Sequence, residues 1–83
     1  MSRHYAKSES VATRASARAE DWRAKGIDEE LITNSSNLNP TEKAVAQLIL
    51  LGKSNNEITQ ETRLTNLSYV IKQILSKLGK EVA

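Results

Sequence analysis

Between Asn66 and Lys77 the chain places Asn66, Ser68, Tyr69, Lys72, Gln73, Ser76 and Lys77 in one short stretch, with no acidic residue among them. The side-chain amides of Asn and Gln hold a donor beside an acceptor. That pair matches the edge of adenine, and a lysine ammonium reaches a guanine edge or a phosphate. A carboxylate here would repel a polyanion, so its absence favours a negatively charged partner. Asn66, Ser68, Tyr69, Lys72 and Gln73 are therefore the candidate base-reading residues for double-stranded DNA. Lys53, Ser54, Arg63, Thr65, Ser76 and Lys77, with Arg14 and Arg18 nearer the N-terminus, are the candidate phosphate contacts. They are cations, or hydroxyls near helix ends where free amides meet phosphate. The same stretch also suits a solvated helix face or a docking surface for another protein.

Other chemistry finds little to stand on. His4 is the single histidine, and a catalytic role needs a positioned partner that its neighbours do not supply. The chain has no cysteine, which excludes disulfides and thiolate metal sites. Asp28-Glu29-Glu30 reads as the negative first turn of a short helix, because its spacing is unspecific for a metal. No catalytic residue, metal, cofactor or small-molecule ligand is expected. Trp22 is expected to anchor a helix in the core, and Tyr69 to project outward.

The elements that must position these residues are legible as helices. Ala, Arg and Glu, all good helix formers, fill the chain from Ser8 or Ser10 to Lys25. Val11, Ala15, Ala19 and Trp22 fall on one face, and Gly26 stands where a left-handed C-terminal residue belongs. A stripe this small packs weakly alone and needs the body of the protein, a partner or DNA. Asp28 caps a short turn carrying Leu31 and Ile32, and residues 33–37 read as a linker. Asn39-Pro40-Thr41-Glu42 is a capping box with proline at the first helical position. Ala44, Val45, Leu48, Ile49 and Leu51 then recur at helical spacing up to Gly52. Ser54 to Glu57 is a second capping box, opening a short helix to about Thr62. After Leu64, Thr65 or Asn66 caps a last helix with the stripe Leu67, Ile71, Ile74 and Leu78, ended by Gly79. The expected fold is all-α: a helix-turn-helix unit over 38–79, an N-terminal basic helical arm and linker over 1–37, and a tail over 80–83.

Charge is distributed unevenly along the 83 residues. Six basic against three acidic residues leave +3 over 1–26, Asp28, Glu29 and Glu30 give −3 over 27–39, and six against four leave +2 over 40–83. Two basic segments thus flank an acidic joint, a balance that permits polyanion binding. Arg14 and Arg18 suit a soluble helix face, a phosphate-tracking arm or a helix exchanged across a dimer. No apolar run approaches the roughly 20 residues of a membrane-spanning helix, and the N-terminus lacks the apolar core of a secretory signal. A cytoplasmic, nucleoid- or plasmid-associated location is expected, with no membrane partner.

Three motifs carry a resemblance. Leu38-Asn39-Pro40-Thr41-Glu42, Gly52-Lys53-Ser54-Asn55-Asn56-Glu57-Ile58 and Lys77-Leu78-Gly79 resemble the DNA-binding domain of the LuxR/GerE family of bacterial regulators, over residues 38–79. The resemblance implies a recognition helix over about 65–77 lying in the major groove. It suits a small plasmid- or phage-encoded regulator. Where the family has a small residue and a Leu-Gly turn, this chain has Thr59, Thr62 and Arg63. Ungapped, Tyr69 and Ser76 fall on the family's buried positions; with a turn two residues shorter, Leu67 and Ile74 do. Residues 1–37 are too few for a receiver or ligand-sensing domain. One such unit reads few base pairs, so a homodimer or a cooperative array on repeats is expected. The expected function is sequence-specific DNA binding as a small transcriptional regulator. The alternatives are a plasmid segregation or stability protein on clustered repeats, or a helical protein-interaction module that does not bind DNA.

Overall fold

A computed structural model describes residues 14–82. Among the described residues the chain is all-helical, with five helices and no strand. Helix α1 is seen over residues 14–24. It is followed by α2 (Glu29–Asn34), α3 (Pro40–Leu50), α4 (Asn55–Thr62) and α5 (Leu67–Val82). No helix among the described residues is long and apolar enough to cross a membrane. The expected caps Ser8 and Ser10, the stripe residue Val11 and His4 lie outside the described residues.

Local chemistry stops and starts each helix. At the end of α1 the amide of Gly26 donates to the Arg23 carbonyl at 3.0 Å, and that of Ile27 to the Trp22 carbonyl at 2.9 Å. Gly26 has φ 93°, which closes a Schellman motif that a side chain would strain. The same pattern ends α3: Gly52 (φ 84°) donates to Ile49 and Lys53 to Leu48. Both expected capping boxes are formed. Asn39 Oδ1 accepts from the Glu42 amide at 2.7 Å and Glu42 Oε1 from the Asn39 amide at 3.0 Å. Ser54 and Glu57 repeat the exchange at the start of α4.

Helix α3 lies at the centre and contacts α2, α4 and α5. Trp22, Ile27, Ile32, Leu38, Val45, Ile49, Ile58, Leu67, Ile74 and Leu78 close one hydrophobic cluster. Trp22, Ile27 and Ile32 precede Leu38, so the described part of the N-terminal segment shares the core of the later helices. Ala15 and Ala19 are buried as expected. The small faces of α1 therefore let it lie close to the body, with Trp22 as its anchor. Asp28 caps α2 through the Leu31 amide at 2.8 Å. Helix α2 includes Thr33 and Asn34, which the sequence places in the linker. Lys43 Nζ holds the Thr33 carbonyl at 3.1 Å, which ties the end of α2 to α3.

The inner face of α3 differs from the expected stripe. Val45, Ala46, Ile49 and Leu50 are buried, while Ala44 and Leu51 are exposed. Leu51 falls beyond the last helical residue, where the chain turns out toward Gly52. Helix α5 also runs through Gly79 to Val82 instead of ending there. A Cβ at Gly79 would meet nothing within 4 Å, so this glycine answers no steric demand of the described residues.

A candidate nucleic-acid interface

Helix α4 ends at Arg63, whose backbone is left-handed at φ 60°. It is the non-glycine residue with positive φ among the described residues, and its amide donates to the Thr59 carbonyl at 2.7 Å. Thr62 Oγ1 bonds back to the Ile58 carbonyl at 2.7 Å. Leu64 half-buries in the turn. The Asn66 carbonyl accepts the Val70 amide at 3.1 Å, so Asn66 holds the cap position of α5. Only residues 63–66 separate α4 from α5.

The rotation of α5 follows from its buried residues. Leu67, Ile74 and Leu78 are buried, with Val70, Ile71 and Leu75 partly so on either side. Tyr69 is 59% exposed and Ser76 is exposed. Of the two registers open from the sequence, the structure adopts the one that buries Leu67 and Ile74. Tyr69 and Lys72, exposed, and Gln73, half-exposed, point away from that stripe, with the exposed Asn66 and Ser68 at its two edges in the first turn. Arg63, Thr65 and Ser76 are exposed on the same turn and helix. Residues 62–80 hold Arg63, Lys72, Lys77 and Lys80 and no acid.

Lys77 is placed differently from its expected role at phosphate. Its Nζ lies 2.8 Å from both carboxylate oxygens of Glu42 on α3. Burial alone would raise the Glu42 pKa, but the Lys77 ammonium and the Asn39 amide outweigh it and hold the carboxyl below its ordinary value. Position explains the turn inward: Lys77 follows Ile74 by three residues and so flanks the buried stripe. Its partner lies 35 residues away, which no local pattern announces.

Arg18 is also engaged. Its guanidinium donates to Asn55 Oδ1 at 2.7 Å and to the Lys53 carbonyl at 3.2 Å. Burial lowers its pKa from the ordinary value, yet guanidinium remains a cation. Arg14, Ala15 and Arg18 of α1 face Ser54, Asn55 and Asn56 across a cleft of about 350 Å³. Ser54 Oγ is used in its cap, and Lys53 is half-exposed beside it. The Ser54 amide and hydroxyl, with Lys53 nearby, keep the Glu57 carboxyl below its ordinary value. The contact from α1 to the start of α4, like the Glu42–Lys77 pair, is a feature that the sequence does not announce. Two further ion pairs lie at the end of α1: Lys25 with Asp21 at 3.0 Å, and Arg23 with Glu29 at 3.2 Å.

Compared with models of protein families, with curated proteins and with solved structures, the chain has no match.

Proposed function

We propose that the protein binds double-stranded DNA sequence-specifically and acts as a small transcriptional regulator, with α3, α4 and α5 serving as a helix-turn-helix unit. The observation that carries this reading is the outer face of α5. Tyr69, Lys72 and Gln73 point away from the buried stripe, Asn66 and Ser68 edge them at the first turn, and no acid stands among the five. A helix of this kind fits the major groove, where amides and ammonium groups distinguish base pairs. Lys53, Arg63, Thr65 and Ser76 flank it at positions suited to phosphate, and contacts of that kind set register along the duplex. Arg14 and Arg18 add positive potential beside the start of α4, which supports association at low salt. Tight specific binding by so small a unit calls for two copies, as a homodimer or side by side on repeats.

The test is selection from a pool of random duplexes. Wild type is expected to enrich a short motif, and Lys72→Ala/Gln73→Ala to lose it while keeping its helical content. Should neither protein enrich any sequence at low salt, the DNA reading fails and this face serves solvent or a protein partner.

A further inference from the structure

The stripe that holds α5 is not by itself a precise register. Leu67, Ile74 and Leu78 are buried, but Val70, Ile71 and Leu75 half-bury on either side of them. Apolar burial is non-directional, so this stripe tolerates some rotation of α5 about its axis. The hydrogen bonds of the preceding turn stay within α4, the turn and the first turn of α5, from Arg63 to Thr59, Leu64 to Thr62 and Val70 to Asn66, so they do not link α5 to α3. One directional contact ties α5 to α3. Lys77 Nζ meets Glu42 Oε1 and Oε2 at 2.8 Å each, and the Glu42 side chain is only 8% exposed. Glu42 is itself fixed, because Oε1 accepts the Asn39 amide and its own amide donates to Asn39 Oδ1. Charge-assisted hydrogen bonds of this geometry are short, strong and directional. Lys77 lies one turn beyond Gln73 on the same helix, so fixing Lys77 fixes the angle at which Gln73, Lys72 and Tyr69 are presented.

We propose that Lys77 is a positioning residue for base reading: through Glu42 it sets the rotation of α5, and it makes no phosphate contact of its own. This rests on the DNA-binding reading above, and the test separates the two. Glu42→Gln/Lys77→Met removes the tie while leaving the net charge unchanged, since one acid and one base are lost together. Gln keeps an acceptor for the Asn39 amide, and Met keeps the apolar stem of lysine. Helical content is checked first; Glu42→Gln/Lys77→Gln serves if the Met variant packs poorly.

Binding to a selected duplex and to a scrambled one is then measured across a salt series. The double variant is expected to lose about tenfold in the ratio of the two affinities, the scale of one mispresented base contact. The slope of log affinity against log salt should stay at its wild-type value. Lys77→Arg with Glu42 intact should keep the ratio within about twofold, because the charged pair is retained. A slope reduced by about 0.9 with the ratio preserved would make Lys77 a phosphate contact and overturn the proposal. A ratio and slope both unchanged would overturn it as well. If wild type selects no duplex, the DNA reading fails, and amide exchange in the free protein still decides the tie. Exchange over residues 67–76 should quicken in the double variant while residues 45–50 keep their protection. Equal protection of residues 67–76 in both proteins would sink it.

Discussion

Helices α1 and α5 both carry a basic surface over a buried stripe, and they spend it in opposite ways. In α1 the stripe is Ala15, Ala19 and Trp22, so the backbone comes close to the body of the protein. Arg18 then reaches inward to Asn55 and the Lys53 carbonyl. In α5 the stripe is built from larger residues, Leu67, Ile74 and Leu78, and the outer face stands away from the core. Lys72 is exposed there, whereas Lys77, beside the stripe, is drawn in to Glu42. Basic residues near an inner stripe are therefore fastened to the protein. Lys72, opposite it, stays exposed. The sign of a charge does not assign its role; its angle from the buried face does.

The largest test of this contrast is Trp22→Ala. Trp22 is 2% exposed and belongs to the central cluster, so truncation should cost about 3–5 kcal/mol in denaturant unfolding followed by helical circular dichroism. For a chain of this size that is a large part of the total. A loss below about 1 kcal/mol would mean that α1 is no part of the folded body.

A smaller effect sharpens the difference between Lys77 and Lys72. The Glu42 carboxyl is held below its ordinary value of 4.5 in the folded state. Its contribution to stability is thus fully present above that value and is lost as pH falls through the lower folded one. Wild type should lose stability on acidification below about pH 4.5, and Glu42→Gln/Lys77→Met should show a shallower decline. Lys72→Ala should leave the whole curve within about 0.5 kcal/mol of wild type, as exposed substitutions do. Identical acid limbs for wild type and the double variant would remove Glu42 from the account.

The least effect concerns two residues whose backbones would each suit the other. Arg63 is left-handed at φ 60°, and Gly79 sits inside α5 with open space at its Cβ. Arg63→Gly and Gly79→Ala should each stabilise by about 0.5–1 kcal/mol in thermal unfolding. Destabilisation by Arg63→Gly would show that the arginine side chain holds the turn.

Much of this was legible because its causes are local. The Asn39 and Ser54 capping boxes, the turns at Gly26 and Gly52 and the outward Tyr69 each depend on residues within a turn or two. So did the burial of Ile74 and Leu78, which follows from helical spacing. The length of the α4–α5 turn was not legible: the family resemblance admits two, although the apolar spacing of Leu67, Ile74 and Leu78 already marks the face of α5 that is buried. The Glu42–Lys77 tie and the Arg18–Asn55 contact span 35 and 37 residues, and no pattern in the chain marks long-range pairs. Gly79 misled because glycine is a strong stop signal, yet α5 continues through it. Leu51 misled in the opposite sense: it keeps the apolar spacing of α3 but is 68% exposed, because the helix has ended.

The outer face of α5 is the proposed working surface of this protein. The most direct measurement is a backbone-amide NMR titration of the full chain with a mixed-sequence duplex at low salt, repeated at high salt. Perturbations are expected to gather at residues 63–73, reach Lys53 to Asn55, and weaken steeply as salt rises. Shifts confined to residues 14–30, or none at any salt, would contradict it.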